Sequence, residues 1–459
     1  MSTIEPRVTA LLHEICGALG GNGDRIADIH VAGAGEAASV FAVTDLAAAS
    51  IGAAGAAIAQ LIAVRRGVRP SVRVDRRLSF MWFALSLRPQ GWTRPPPWDP
   101  IAGDYRAADG WIRLHTNAPH HRAVALATLA APPDKERVAE AVSHWNAEDL
   151  ETAIVANGGC AATMHSMKEW AAHAQGQAVA GEPLVQLAVT DTGPAPSWSV
   201  SAERPLQGVR VLDLTRVLAG PVATRFLAGF GADVLRIDPP WWDEPGVVPE
   251  VTLGKRCARL DVRDQVQRAL FEGLLAEADV LVHGYRPDAL ARLGLDARRR
   301  QQIRPGLVDV SLDAYGWRGP WASRRGFDSL VQMSTGIAEA GMRAMRKDRP
   351  TPLPVQALDQ ATGYLMAAAV VHGLAERLTT GSGCEARTSL ARTAALLISH
   401  PLDQGAPPLA SETPEDQDGT IEHTAWGPAR RLKPPLTIEG APMRWDLPAG
   451  PLGAAPASW

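Results

Sequence analysis

The stretch LQGVRVLDLTRVLAGPVATRFLAGFGADVLRIDPP, residues 206–240, decides the fold of this 459-residue chain. An apolar strand, GVRVLDLT (208–215), is followed by the loop RVLAGP, the helical stretch VATRFLAGFG and a second apolar strand, DVLRIDP (233–239). Two strands joined through a helix lie parallel and make a right-handed crossover. The stretch therefore predicts an α/β sheet whose ligand binds at the carboxyl ends of the strands.

The same alternation continues downstream. A helical stretch at 265–278 precedes the strand DVLVHGY (279–285), another helical stretch covers 289–294, and VDVSLDAYG (308–316) supplies a further strand. Strands that alternate with helices are typical of a doubly wound parallel sheet. We therefore expect an α/β large domain in this half of the chain.

One unit of the sequence occurs twice. Asp359 begins an apolar helix in PLPVQALDQATGYLMAAAVVHGLAERLTTGSG, and Asp45, 314 residues earlier, begins the similar run VTDLAAASIGAAGAAIAQLIAVRRGV. The same offset carries Gly67 onto Gly381 without a gap. An aspartate at a helix start most simply caps the helix, which stabilises it by ~1 kcal/mol, and this is the role we expect for Asp45. The small-residue turn and apolar helix beside Asp359 favour a nucleophile toward an activated acyl group instead.

The domain organisation follows from this repeat and from the Pro-rich link RPPPWDP at 94–100. A smaller α+β domain is expected after the link, because DGWIRLHT predicts a strand and several short helical stretches follow it. The tail is dense in Pro and Gly and is expected to lie extended on the surface. The predicted segments are a partial copy of the large domain (1–95), the small α+β domain (96–200), the large domain with Asp359 (206–398) and the tail (399–459).

Composition restricts the possible partners and location. The formal net charge of −3 gives no electrostatic reason to expect nucleic acid or an anionic membrane as partner. The four cysteines are scattered and form no C-x-x-C pair, which argues against a metal site and a disulfide framework and fits the reducing cytoplasm. No signal peptide is predicted, and the apolar run 46–64 is interpreted as an Ala-rich buried helix rather than a membrane span.

Basic residues follow or precede several predicted strands. They could converge on a phosphate-bearing ligand, although any one of them is more simply explained as a solvated surface charge. No G-x-G-x-x-G, Walker A, G-x-S-x-G or H-E-x-x-H motif is present, which disfavours a dinucleotide site. The basic residues concerned are Lys255, Arg256, Arg286, Arg292, Arg324 and Arg325.

Five segments resemble the class III CoA-transferases, the group that includes formyl-CoA transferase and carnitine-CoA transferase, and they occur in the same order as in that family. They lie between residues 206 and 395. Residues 40–85 and 101–189 resemble the Asp–helix–strand unit and the small domain of the same family, so the chain is interpreted as two incomplete, permuted copies. The first three segments are the opening stretch quoted above, LGKRCARLDV and ADVLVHGYRPDALARLGL. The fourth has two parts, RPGLVDVSLDAYGWRGPW and RRGFDSLVQMSTGIAEAG, and the fifth is PVQALDQATGYLMAAAVVHGLAERLTTGSGCEARTSL.

The resemblance implies site residues. The family's nucleophilic aspartate falls on Asp359, and the family's Asn-Phe-x-Pro-Gly segment is altered here to GYRPD (284–288). The family is described as interlocked rings, and halves without their companions should expose apolar faces, so a homodimer is expected. The candidates for contacts with coenzyme A are Val217, Leu218, Lys255, Arg256, Gly284, Tyr285, Arg292 and Arg325.

The resemblance also implies an activity, the transfer of CoA from an acyl-CoA to a small carboxylic acid through an aspartyl anhydride and an aspartyl-CoA thioester. Coenzyme A and acyl-CoA would be substrates, with no permanently bound cofactor and no metal. One alternative is an acyl-CoA racemase of the same superfamily, which is disfavoured because Phe327 stands where the racemases have a histidine. A catalytically degenerate family member is the other alternative.

Overall fold

The structure is a computed structural model that describes residues 6–21, 26, 28–286, 288–402 and 407–459. Pro287 of the segment 284–288 and residues 403–406 of the tail lie outside the described residues. The helices are α1 (Pro6–Ala18), α2 (Val43–Arg66), α3 (Arg76–Ala84), α4 (Pro119–Leu129), α5 (Lys135–Ser143), α6 (Ala147–Ala156), α7 (Met167–Ala172), α8 (Ala174–Ala180), α9 (Ala219–Gly229), α10 (Val248–Val251), α11 (Gln265–Glu277), α12 (Ala289–Arg292), α13 (Ala297–Ile303), α14 (Asp328–Ser334), α15 (Ile337–Ala344), α16 (Ala357–Thr380) and α17 (Leu390–Ser399), with a 3₁₀ turn at Pro414–Asp416. The strands are β1 (Ile29–Ala32), β2 (Val72–Asp75), β3 (Leu87–Pro89), β4 (Gly103–Arg106), β5 (Trp111–Leu114), β6 (Ala161–Thr163), β7 (Gln186–Thr192), β8 (Arg210–Leu214), β9 (Asp233–Asp238), β10 (Lys255–Arg259), β11 (Val280–His283), β12 (Val308–Asp313), β13 (Ser382–Ser389), β14 (Glu422–Thr424), β15 (Gly427–Arg431) and β16 (Leu436–Ile438).

A seven-stranded sheet forms the centre of the molecule, in the order β10-β9-β8-β11-β12-β13-β7. The first six strands are parallel, and β7 pairs antiparallel with β13. All four residues of β11 are buried, as expected for an inner parallel strand covered by helices on both faces. The predicted doubly wound α/β fold is confirmed.

The direction in which strands are added changes between β8 and β11. From β8 the chain adds β9 and β10 on one side, and β11, β12 and β13 follow on the other side. The loops after β8 and β11 therefore diverge and leave a crevice at the carboxyl ends of these two strands. A ligand of a doubly wound sheet binds in such a crevice.

The small α+β segment contains an antiparallel sheet, β4-β5-β6, and the helices α4 to α8. Its own apolar core includes Ile112, Leu114, Val138, Leu150 and Ile154. The strand at 111–114 and the helices that follow agree with the sequence prediction. β7 was not predicted, because most of its side chains are exposed and it carries no apolar pattern.

Both copies of the repeated unit are present. Helices α2 and α16 have 24 residues each, and their first and last residues are related by the offset of 314. α2 is followed by β2, which lies between β1 and β16 in a three-stranded sheet. α2 is long and apolar enough to span a membrane (mean hydropathy 1.8), and 83% of that apolar window is buried inside the protein.

The C-terminal segment differs from the extended surface tail that its composition predicts. β16 pairs with β2, β15 pairs with β3, and Leu432, Leu436 and Ile438 are buried. Farther on, the amide of Ala455 donates to the carbonyl of Cys257 (2.8 Å), which places the end of the chain along the open side of β10. The Pro and Gly residues lie between strands of three to five residues, and such strands are too short to show a period-2 pattern.

Candidate active site

A cleft of about 410 Å³ lies at the predicted crevice. Its walls come from the loops after β8, β11 and β12, from the start of α16 and from the small domain. Five of the nine candidate site residues line it. These five are Val217, Gly284, Tyr285, Arg325 and Asp359.

Asp359 lies in the first turn of α16, the buried helix that runs behind the cleft. The residue before the helix is Gln356, and no side chain caps the helix start. Asp359 lines the cleft, and its backbone amide donates to Oδ2 of Asp328 (2.9 Å). The capping interpretation of Asp359 is therefore not supported, and its carboxyl group faces the space where a ligand would bind.

The carboxyl groups of Asp359 and Asp328 influence each other. Burial, and then the charge of Asp328, raise the pKa of Asp359 well above the ordinary carboxyl value. Burial raises the pKa of Asp328 to about 6, although hydrogen bonds from the Asp359 amide and the Gln332 side chain oppose this rise. Two buried carboxyl groups whose charges interact in this way titrate as a pair.

The loop after β8 has a strained backbone. Val217 has a φ of 64°, a left-handed conformation that costs a β-branched residue of order 1–3 kcal/mol. Its amide donates to Oε2 of Glu244 (2.9 Å), which holds the conformation. Gly220 follows at the start of α9, where a Cβ would lie 2.2 Å from Thr215. The buried Leu218 precedes α9 and does not line the cleft.

An aromatic and cationic cluster connects this loop with the loops after β9 and β11. The Arg216 guanidinium lies 4.5 Å from the ring of Trp242 and 5.0 Å from that of Tyr285. It also donates to the Tyr285 hydroxyl (3.1 Å). Tyr285 was predicted; Arg216 and Trp242 were not, because a packed Arg–Trp pair has no signature in the order of residues.

Two further arginines line the cleft, Arg286 and Arg325. Arg325 donates to the carbonyl of Gly158 (3.1 Å), and no carboxylate of the described residues pairs with either arginine. Burial, and then the charge of Arg325, lower the pKa of Arg286. Neighbouring guanidinium groups without carboxylate partners are suited to binding an anionic ligand.

Three other predicted contacts lie away from the cleft. Lys255 is buried, and its Nζ donates to Asp213 (3.0 Å) and to the carbonyl of Pro221 (2.9 Å). Arg256 pairs with Asp233 (2.8 Å), and the exposed Arg292 pairs with Asp288. The structure gives Lys255 an internal role in holding α9 on the sheet, and it gives no support for direct contact of these three with coenzyme A.

The small domain supplies residues that the sequence did not indicate. His120 and His121 line the cleft beside Phe327. The Phe327 ring is stacked on His115 (3.7 Å between centroids) and makes an edge contact with His121 (5.9 Å). Burial lowers the pKa of His115 and of His121 to about 3, so both are neutral at physiological pH.

Asp313, at the end of β12, is another cleft residue that was not predicted. One of its carboxyl oxygens accepts from the Gly316 amide (2.7 Å), while the other is buried and has no hydrogen-bond partner among the described residues. Burial raises its pKa well above the ordinary value. No group of three or more metal-ligating side chains occurs in the part of the chain that the structure describes.

The surroundings of Asp45 differ from those of Asp359, and Asp45 does not have the expected role of a helix cap. The residue before α2 is Ala42, and no side chain caps this helix. Asp45 is fully buried, and its oxygens accept from Nε of Arg76 (2.7 Å) and Nη1 of Arg7 (2.9 Å). It is the centre of a buried ion-pair network rather than a capping residue.

Comparison with known proteins agrees with the family resemblance of the sequence motifs. Residues 206–430 match CoA-transferase family III. The chain is 32% identical over 201 residues to the mouse succinyl-CoA:glutarate CoA-transferase, covering 41% of this chain and 46% of that protein. It is 30% identical over 227 residues to the acetyl-CoA:oxalate CoA-transferase of Acetobacter aceti, covering 47% and 57%.

Among solved structures, the orthorhombic crystal form of Rv3272 from Mycobacterium tuberculosis aligns with a TM-score of 0.39 and 30% identity. The alignment covers 43% of this chain and 57% of that one. The chain spans about half the length of the curated relatives it matches. Residues 206–430 of this chain therefore belong to CoA-transferase family III.

Proposed function

We propose that the protein transfers CoA from an acyl-CoA thioester to a small carboxylic acid, with Asp359 as the nucleophile. The observation that carries this proposal is the position of Asp359. It is a carboxyl group at the start of a buried helix, and it opens into a cleft at the switch point of the sheet. The relatives named above are CoA-transferases, which supports the same class of reaction.

The reaction needs four transfers, all of them at acyl carbon. The ionised Asp359 carboxylate attacks the thioester carbonyl, the C–S bond breaks, and CoA leaves as a thiolate from a mixed anhydride. The thiolate then attacks the Asp359 carbonyl of the anhydride, which releases the first carboxylate and leaves an aspartyl-CoA thioester. An acceptor carboxylate attacks this thioester to form a second anhydride, and the CoA thiolate attacks its acceptor carbonyl. Acceptor-CoA leaves, and Asp359 is again a carboxylate.

The surroundings of Asp359 fit the charges of these species. α9 begins at the cleft, and the N–H groups of a first helical turn attract anions. Arg286 and Arg325 add positive charge for the phosphates of coenzyme A or for a carboxylate. His121 of the small domain and Phe327 of the large domain cover the cleft, which limits the access of water to the anhydride.

The proposal is tested by trapping the intermediate. A panel of acyl-CoAs and carboxylates is incubated with the protein, and new thioesters are detected by mass spectrometry. Hydroxylamine added during turnover should convert Asp359 into a hydroxamate, located by peptide mapping. Asp359→Ala should abolish both turnover and trapping, while Asp191→Asn, on the exposed side of β7, should change neither. Turnover by Asp359→Ala at the wild-type rate would exclude this mechanism.

A further inference from the structure

The two copies of the repeated unit have the same backbone geometry at the ends of their helices. The residues before α2 and α16, Ala42 and Gln356, share a φ of −74°, with ψ of 58° and 66°. The glycines that end the two helices, Gly67 and Gly381, have φ of 74° and 77°. The offset of 314 therefore relates two folded units as well as two stretches of sequence.

The likeness extends beyond the two helices. The last residues of β2 and β13, Asp75 and Ser389, occupy equivalent positions, and each caps the helix that follows. Each side chain accepts from the amide three residues ahead, that of Leu78 in one copy and of Arg392 in the other. In both copies this strand lies between one parallel and one antiparallel neighbour.

The two units pack against each other inside one chain. The Ala-rich side of α2 lies along α16, and a small crevice between them is lined by Ala53, Ala57, His372 and Ala375. The Phe83 ring of the first copy is stacked on Tyr364 of the second, with 6.1 Å between centroids. The apolar faces on which the homodimer prediction depends therefore cover each other within the chain.

The surroundings of the aspartate, here called the centre of each unit, differ between Asp45 and Asp359. Leu390 lines the cleft of Asp359, and the residue 314 positions earlier is Arg76. The Arg76 guanidinium is buried and reaches Asp45, the carbonyl of Gly35 and the carboxylate of Glu36. Where the second copy has an open cleft beside its aspartate, the first copy has an arginine side chain.

The first copy nevertheless contributes to the open site. Its small domain supplies His120 and His121 to the cleft. Gln175 of the same domain donates to the carbonyls of Tyr315 and Arg318, both at 2.8 Å. The cleft at Asp359 is thus lined by residues of both copies.

We propose that one chain is the functional unit. The first copy acts as a built-in partner subunit that pairs through α2, supplies the small domain to the Asp359 cleft, and has its own centre closed by Arg76. This inference rests on the proposed function for its catalytic readout. Its assembly and ligand stoichiometry can be measured without turnover.

The first test uses the wild-type protein. Mass photometry should show a single-chain species from about 10 nM upward, with turnover per chain independent of dilution. Titration calorimetry with CoA should give one site per chain, and hydroxylamine should label Asp359 and leave Asp45 unlabelled. The inference would be overturned if the protein were a dimer that lost turnover when dilution dissociated it. A hydroxylamine label on Asp45 would overturn it as well. If no acyl-CoA is turned over, the proposed function fails, and the mass and the CoA stoichiometry still decide the assembly.

The second test places an arginine in the open cleft, at the position equivalent to Arg76. Leu390→Arg should pair with Asp359 as Arg76 pairs with Asp45, and should lower turnover by more than about 100-fold while the protein stays folded. Ala395→Arg places the same side chain on α17 outside the cleft, and should keep turnover near the wild-type rate. A folded Leu390→Arg variant with normal turnover would refute the closing role of the arginine. If that variant does not fold, Arg76→Leu gives the reverse test. A water-soluble carbodiimide should modify Asp45 in this variant and leave the fully buried Asp45 of the wild-type protein unmodified, and unchanged protection of Asp45 would refute the closing role.

Discussion

At the residue scale, the chemistry of Asp359 depends on its neighbour Asp328. A carboxylic acid is a poor nucleophile, so only the ionised form of Asp359 starts the proposed reaction. Burial and the charge of Asp328 both oppose ionisation. Activity should therefore be present above the raised pKa of Asp359 and be lost as the pH falls through it.

Asp328→Asn should shift this pH dependence. The variant keeps an oxygen to accept the Asp359 amide and removes the negative charge, so the pKa of Asp359 falls. The acid limb of a kcat/KM profile should move to lower pH, while Asp191→Asn should leave it in place. A limb unchanged in Asp328→Asn would show that the charge of Asp328 does not control Asp359.

The buried charges around Asp45 give a prediction about stability. Asp45→Asn leaves Arg76 buried with one carboxylate fewer, and breaking such a pair destabilises a protein by about 3–5 kcal/mol. The half-exposed pair of Asp28 with Arg69, at 3.7 Å, is a matched control, and Asp28→Asn should change stability by less than about 1 kcal/mol. Denaturant unfolding measures both variants. Equal effects would mean that the Asp45 network contributes little.

Single residues also show which positions at the cleft could be predicted from the sequence, although their roles stay predictions. Val217, Gly284, Tyr285, Arg325 and Asp359 line the cleft because strand-end loops of a parallel sheet converge. Lys255 does not, because its partner Asp213 lies 42 residues earlier and only folding brings the two together. Position along the chain therefore predicted which loops line the cleft, while the pairing of buried charges could not be predicted from it.

At the scale of elements, the cleft depends on how closely α9 approaches α16. A Cβ on Gly363, in the middle of α16, would lie 2.4 Å from the carbonyl of Ala219 at the start of α9. Glycine at this position allows the two helices to meet, although it lowers the helix propensity of α16. The long helices were predictable from their apolar pattern, but this contact was not, because the helices are distant in sequence.

Two glycine substitutions should have opposite effects on stability. Gly363→Ala should push α9 away, destabilise the protein by about 1–3 kcal/mol, and weaken CoA binding through the shifted loop. Gly273, on the exposed side of helix α11, has open space around it, and Gly273→Ala should stabilise the protein by about 0.5–1 kcal/mol. Denaturant unfolding and calorimetry provide the measurements. A stabilising Gly363→Ala would contradict the close packing described here.

At the scale of the whole molecule, the sequence predicted the fold class and the presence of two copies. It did not predict that β7 joins the central sheet or that the C-terminal segment returns to pair with β2 and β3. These strands are short or exposed, and pairing with distant strands stabilises them more than their own composition does. The predicted domain limits and the homodimer stay predictions, and the dilution experiment above tests the homodimer.

The last residues of the chain have a consequence for solubility. The Ala455 amide bonds to Cys257, and the Trp459 indole donates to the carbonyl of Leu274 (3.0 Å), so this segment shields the outer edge of β10. An unshielded edge strand offers a row of free N–H and C=O groups to strands of other molecules. A chain shortened before Ala455 would present that row to its neighbours. We therefore expect the shortened chain to aggregate more readily than the full chain, as light scattering would measure.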